Sequence, residues 1–173
     1  MNWLTLEGLD EPPEGWLCAI CEAGYEGVQF IEPLPAKLVE DARAMGLRVC
    51  GSGRVNLPED AERLAAQARH HGLECLTLHV GWGNEEDDEA LRLIEAVLHA
   101  SIRHDIPLYV ETHRATIFQD TWRSVNFVRR FPELLSARIF YAREIDGKEE
   151  SDRWQQSLVL TQIARDCFAA ARS

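Results

Sequence analysis

Residues 75–112 read CLTLHVGWGNEEDDEALRLIEAVLHASIRHDIPLYVET, and this stretch decides the fold class. Cys75 to Val80 is a short apolar run of strand length. Gly81-Trp82-Gly83-Asn84 breaks it as a loop. The acidic run Glu85 to Glu89 then begins a long helix, because negative charge is stabilised at the positive, N-terminal end of the helix dipole. Leu91, Ile94 and Leu98 mark its buried face, and Pro107 lies beyond its end. Leu108 to Thr112 is a second strand. A strand, a crossover helix and a second strand make a βαβ unit, which joins parallel neighbours with a right-handed connection. Continuous apolar strands of this kind are expected where both faces of a sheet are covered.

The same alternation continues in both directions. Upstream, Trp3 to Leu6 reads as a short first strand. Pro13 to Ala23 reads as a helix with Trp16, Leu17, Ile20 and Cys21 on one stripe, ended by Gly24. Val28 to Ile31 is a strand closed by Pro33, and Ala36 to Met45 is a helix with Leu38, Ala42 and Met45 on one side. Leu47 to Cys50 is a strand, and Gly51-Ser52-Gly53 reads as the loop after it. Pro58 opens a helix that buries Ala61, Leu64, Ala65 and Ala68 and is stopped by Gly72. Downstream, Trp122, Val125 and Val128 line a helix stopped by Pro132. Arg138 to Tyr141 is a sixth strand, and Ser151 caps a last helix carrying Leu160, Ile163, Ala164 and Cys167. No Pro/Gly/Ser-rich linker divides the chain, so residues 1–173 read as a single domain.

Two architectures fit this order, a doubly wound open sheet and a (β/α) barrel or part of one. A full eight-fold barrel takes about 250 residues, or about 31 per βα unit. The 173 residues here have room for five to six. Neither Gly-x-Gly-x-x-Gly nor a Walker loop is present, so no nucleotide cofactor is expected. Lys plus Arg is 18 against 29 Asp plus Glu, a net charge of −11, which repels phosphate backbones and anionic membranes. Nucleic acid and membrane are therefore excluded as first-choice partners. No apolar run approaches the ~18 residues of a membrane span, and Met1 to Asp10 has no signal-peptide pattern. The five cysteines, Cys18, Cys21, Cys50, Cys75 and Cys167, read as buried reduced thiols of a cytoplasmic protein. Cys18-x-x-Cys21 lies in a helix with no second pair, which argues against zinc.

In parallel α/β folds the working residues gather at the carboxyl ends of the strands. Here the second strand ends in Glu32, the fourth in His79 and the fifth in Glu111-Thr112-His113-Arg114. Alternation puts Thr77 and His79 on one face, and Tyr109, Glu111 and His113 on one face. His79 and Glu111 are then neighbours at similar depth. A carboxylate in a partly apolar strand has its charged form disfavoured, so a raised pKa and a general-base role are expected, or else ionisation against a divalent metal. Each residue has a plainer alternative: an ion pair with Arg114 for Glu111, a satisfied core histidine for His79, and loop surface for His113 and Arg114. Trp82, between two glycines, is a sugar-stacking lid or ordinary packing.

Several stretches resemble the xylose isomerase-like TIM barrels, the sugar phosphate isomerase/epimerase family. Ala23-Gly24-Tyr25-Glu26-Gly27-Val28-Gln29-Phe30 is similar to the family's first helix-to-strand passage. Leu76-Thr77-Leu78-His79-Val80-Gly81 is similar to its fourth strand. Tyr109-Val110-Glu111-Thr112-His113-Arg114 is similar to its fifth, followed by Asp120-Thr121-Trp122 and Phe131-Pro132-Glu133-Leu134. The resemblance implies an α/β fold, an incomplete (β/α) TIM-type barrel of five to six parallel strands with outer helices. It implies a small carbohydrate substrate, proton transfer next to a carbonyl, and a divalent metal, Mn, Mg or Co. Glu111 would be metal ligand and acid/base group, with His79 near substrate oxygens; from their places at the strand ends, His113, Arg114, Trp82 and Glu32 are the candidate substrate contacts.

The sequence departs from the family after Leu134. No Asp/His pair follows, and there is no histidine after His113. Hard cations need several oxygen or nitrogen ligands, and Glu144 or Asp146 would have to substitute. A sheet that does not close leaves strand edges for a second copy of the chain to cover, so the alternative is a non-catalytic binding or oligomerisation module.

Overall fold

The computed structural model describes residues 1–6, 13–131 and Leu134. The elements in chain order are α1 (Pro13–Glu22), β1 (Gly27–Ile31), α2 (Ala36–Ala44), β2 (Arg48–Val55), α3 (Pro58–His70), β3 (Leu76–Val80), α4 (Asp87–His104), β4 (Leu108–Val110) and α5 (Thr121–Arg130). The strands form one parallel sheet in the order β1-β2-β3-β4. A doubly wound sheet reverses its strand order at a switch point; this one never does among the described residues. With right-handed crossovers, consecutive order leaves every connecting helix on the same side of the sheet.

Burial follows from that winding. The registers Val28↔Val49, Gly53↔Leu78, Val55↔Val80 and Leu78↔Val110 run across one continuous buried face. Helix α3 lays Ala61, Leu64, Ala65 and Ala68 against it, as the sequence spacing predicts. Helix α4 buries Leu91 and Ile94 as expected, together with Leu93 and Val97. Each fully buried Phe30, Leu64, Leu78 or Ile94 contributes roughly 1.5–3 kcal/mol by leaving water. The opposite face carries Gln29, Cys50, Ser52, Arg54, Thr77, His79 and Tyr109, all half-buried. The strands are thus covered on one face by the described residues, where continuous apolar runs led to an expectation of two.

Four strands are described, against the expected five to six. Trp3–Leu6 is a 3₁₀ turn, joined to the sheet through a single parallel bridge between Asn2 and Gln29. It is held there by side chains: the Trp3 ring packs on Phe30 and Trp16 at centroid distances of 4.9 and 5.1 Å. The expected strand at Arg138–Tyr141, the last helix from Ser151, and Glu144, Asp146 and Cys167 lie outside the described residues.

The segment read as a glycine loop is the middle of β2. Gly51 and Gly53 face the helices, where a Cβ on Gly51 would sit 2.6 Å from Leu76 Cδ2 and one on Gly53 2.9 Å from Leu64 Cδ2. The glycines are there so that the leucines can close onto the strand. Two helix stripes are also rotated from expectation. Helix α2 buries Val39 and Ala42 and leaves Met45 exposed, and α5 buries Ser124, Val125, Phe127 and Val128 and leaves Trp122 exposed. Glu85 precedes α4, which starts at Asp87. No helix among the described residues is long and apolar enough to cross a membrane.

Candidate active site at the carboxyl ends of β3 and β4

The β3–β4 register pairs Leu78 with Val110, and the Glu111 N–H continues the ladder by donating to the Leu78 carbonyl at 3.0 Å. Glu111 therefore lies beside His79, on the face away from the helices. The two side chains meet: His79 Nε2 is 3.1 Å from Glu111 Oε2. A carboxylate oxygen accepts, so Nε2 carries the proton and Nδ1 is the basic nitrogen of the neutral ring. The His113 ring stacks on His79 with centroids 4.6 Å apart and 20° between planes. Its Nδ1 donates to the Arg114 carbonyl at 2.6 Å. The hydrogen bond from His79 holds the Glu111 carboxyl below its ordinary pKa, outweighing the partial burial that opposes it, and a positive charge on either imidazole would add to the same effect. The expected raised pKa is thus reversed, because burial is the smaller influence.

A hollow of about 1070 Å³ lies against this face, with Gln29, Cys50, Thr77, His79, Tyr109 and Glu111 among the residues on its wall. It runs from the amino end of the strands to the His79–Glu111 pair at the carboxyl end.

The other expected contacts are placed differently. Glu32 shares the parity of Val28 and Phe30 and so leaves β1 toward the helices, where it forms an ion pair with Arg63 of α3. Arg63 also reaches Asp60 at 3.1 Å. Glu32 is not part of the His79–Glu111 cluster. Arg114 is exposed, and its backbone carbonyl rather than its guanidinium contacts His113. Trp82 is exposed in the loop after β3, with the Arg54 guanidinium 4.0 Å above its ring. The thiols also differ from expectation: Cys18 is exposed on the outer side of α1, and Cys21, Cys50 and Cys75 are half-buried.

Two residues that shape the site escaped the sequence reading. Arg54 pairs in register with His79 and ties down the loops after β3 and β4, donating to the carbonyls of Gly81 and Ala115. Glu85 accepts from the N–H groups of Trp82 and Gly83 at 2.6 and 2.8 Å. Burial raises its carboxyl, but those N–H groups and Arg123 outweigh it and draw it below the ordinary value. The loop turns at Gly83 with φ +91°, and a Cβ there would strike the Gln119 amide at 2.4 Å. Arg54 was legible in principle: Val49-Cys50-Gly51-Ser52-Gly53-Arg54-Val55 alternates small or apolar with polar, the period of a strand.

A divalent metal does not fit the described residues by themselves. Glu111 is an ionised oxygen donor, but His79 Nε2 is committed to it and His113 Nδ1 to a carbonyl, and the stacked rings present their faces to each other. Among the described residues no three His, Cys, Asp or Glu side chains converge to hold an ion.

No protein-family model and no curated protein matches the sequence. Among solved structures, the chain is similar to a crystal structure of a protein from Sinorhizobium meliloti 1021, with 19% identity and a TM-score of 0.49 over 68% of this chain and 53% of that one. The chain thus matches about half the length of that protein.

Proposed function

We propose that the His79–Glu111 pair transfers a proton next to the carbonyl of a small carbohydrate, in the manner of sugar or sugar phosphate isomerases and epimerases. The observation that carries this reading is the 3.1 Å contact between His79 Nε2 and Glu111 Oε2 on the wall of the hollow. In the mechanism, His79 Nδ1 takes the proton from the carbon beside the carbonyl. Ionised Glu111 fixes the tautomer that leaves Nδ1 basic and stabilises the imidazolium that results. The hydroxyl proton of the enediolate passes from its oxygen to the former carbonyl oxygen, and the imidazolium returns the carbon-bound proton to the neighbouring carbon, which leaves the new carbonyl on the deprotonated oxygen. One base on one side of the substrate suits this 1,2-shift, so isomerisation is the simpler outcome. His113 forms a flat wall against His79.

The winding supports the barrel part of the reading. Four parallel strands in consecutive order, with one face against helices and one face polar, are what the first units of a (β/α) barrel would present. The four free thiols among the described residues fit a reducing, cytoplasmic compartment. A metal ligated through Glu111 would need further donors from outside the described residues.

Proton NMR in D₂O on a panel of aldoses, ketoses and their phosphates tests the reaction. The wild type should exchange the proton next to the carbonyl. His79→Asn and Glu111→Gln should each slow exchange by about 10²–10⁴-fold, the usual range for a positioned acid–base group. A wild type that exchanges nothing on the panel removes the catalytic reading. The second reading, a binding or assembly module, is favoured by one observation: among the described residues β4 is paired on one side alone. A single monomeric species by light scattering would remove a second copy as the cover of that edge.

A further inference from the structure

At the amino end of the same face, two thiols lie side by side. The β2–β3 register pairs Gly51 with Leu76, and the Gly51 N–H donates to the Cys75 carbonyl at 3.0 Å. Just before that register the Glu74 N–H donates to the Val49 carbonyl at 2.9 Å, so Cys50 and Cys75 lie between two inter-strand bonds on neighbouring segments. Cys50 shares its face with Ser52 and Arg54, and Cys75 shares its face with Thr77 and His79. Both side chains point into the hollow, both are half-buried, and both are free thiols. The Cys50 S–H donates to the Val28 carbonyl at 3.7 Å. Neighbouring strands lie ≈ 4.7–4.9 Å apart, inside the Cα range that a disulfide spans.

We propose that Cys50 and Cys75 are a redox pair that cycles between dithiol and disulfide by exchange with a low-molecular-weight disulfide. Cys50 is the attacking thiol. Ionised, Cys50 gives up its bond to the Val28 carbonyl and accepts from the Cys75 S–H instead; this outweighs burial and brings the Cys50 thiol down to about 7, where a large fraction is thiolate at neutral pH. The same contact pushes Cys75 up. The Cys50 thiolate attacks one sulfur of the small disulfide. That S–S bond breaks, a mixed disulfide forms on Cys50, and the departing small thiolate takes up the proton that Cys50 had released. Cys50 then carries no charge, so the main influence holding Cys75 protonated is gone. Cys75 loses its proton to solvent, and its thiolate attacks Cys50 Sγ and expels the second small thiolate, which is protonated in turn. Two protein thiols are oxidised, one small disulfide is reduced to two thiols, and no other reactant is required. The product ties β2 to the residue that leads into β3, and these strands carry Arg54 and His79. In a reducing compartment such a bond is transient and reports redox state. The pair stands on the thiols alone and does not depend on the proton-transfer reading.

The experiment uses the full chain equilibrated with oxidised glutathione, alkylated, and digested with trypsin without reduction. Cys50 falls in peptide 49–54, Cys75 in 70–92, and Cys18 with Cys21 in 1–37, so the pairs are distinguishable by mass. The expected result is a 49–54/70–92 cross-link in the wild type, a glutathione adduct on 49–54 in Cys75→Ser, and an unmodified 70–92 in Cys50→Ser. A wild type in which 49–54 is neither linked nor modified overturns the proposal. So does a Cys50→Ser protein whose Cys75 is glutathionylated as fast as Cys50 is in Cys75→Ser. As a second measurement, iodoacetamide should alkylate Cys50 at pH 7 about threefold faster in the wild type than in Cys75→Ser, since the gain in thiolate exceeds the loss of nucleophilicity. An unchanged rate also overturns the pairing.

Discussion

The two faces of one sheet are built from alternate residues of the same strands, yet they obey different rules. On the helix side, Phe30, Val55, Leu78 and Val80 are fully buried and the two glycines of β2 are placed to admit leucine methyls. On the other side, Gln29, Cys50, Arg54, Thr77, His79 and Glu111 are all half-buried: Gln29 bonds Thr77, His79 bonds Glu111, and Cys50 and Arg54 donate to backbone carbonyls. The first face stabilises the fold by removing apolar area from water. The second holds the reactive groups at fixed spacing with little apolar burial to lose. Adjacent residues such as Leu78 and His79 are therefore expected to fail in different ways.

The largest effect should come from that neighbouring pair. Leu78→Ala removes a side chain with no exposed surface and should destabilise the protein by about 2–5 kcal/mol. His79→Ala should shift stability by less than about 1 kcal/mol while slowing any proton exchange by about 10²–10⁴-fold. Urea unfolding followed by circular dichroism measures both. Equal losses would erase the distinction between the faces.

A smaller effect sharpens the same contrast within β2. A Cβ on Gly51 would meet methyls of Leu76, Leu73 and Leu34 at 2.6, 2.9 and 3.5 Å, so it is crowded from three sides. Gly51→Val should cost about 1–3 kcal/mol by overpacking. Ser52→Val, one residue on and facing the hollow, should stay within about 0.5 kcal/mol. The same unfolding curves decide it, and a Gly51→Val protein as stable as Ser52→Val would show that the helices have room to move off the strand.

The contrast also explains what could be read in advance. Helix α3 was legible residue by residue because four small or branched apolar residues repeat on one side of an otherwise polar segment. His79 and Glu111 were legible because parity and strand order together place them side by side, and neither depends on packing detail. Glu32 was not: it follows directly on β1, but its parity matches Val28 and Phe30, which sends it to Arg63. Strand parity, which the sequence carries, decides the side a residue takes, and position at a strand end does not. Met45 and Trp122 were placed on buried stripes that are turned by a fraction of a helical turn, because a single apolar residue at a helix end does not fix the rotation. The hydrogen bonds that lower Glu111 and bring Cys50 down arise between strands far apart in the chain, so no local pattern announces them.

The smallest expected effect concerns the acid side of the open face. Glu111 has a lowered pKa in the folded chain, caused first by the His79 hydrogen bond. A depressed carboxyl binds protons less readily when folded than when unfolded, so its stabilising contribution is present above the unfolded carboxylate pKa. It fades as pH falls through the lower, folded value. Glu111→Gln removes the ionisation but keeps the shape. The stability difference between wild type and Glu111→Gln should therefore be present at pH 6, about 1 kcal/mol or less for a half-buried pair, and should shrink steadily toward pH 3. Leu78→Ala, on the buried face, should show the same deficit at both pH values, because nothing it removes can titrate. A Glu111→Gln difference that grows toward low pH would mean that the carboxyl is raised after all, and that burial outweighs His79 at this position.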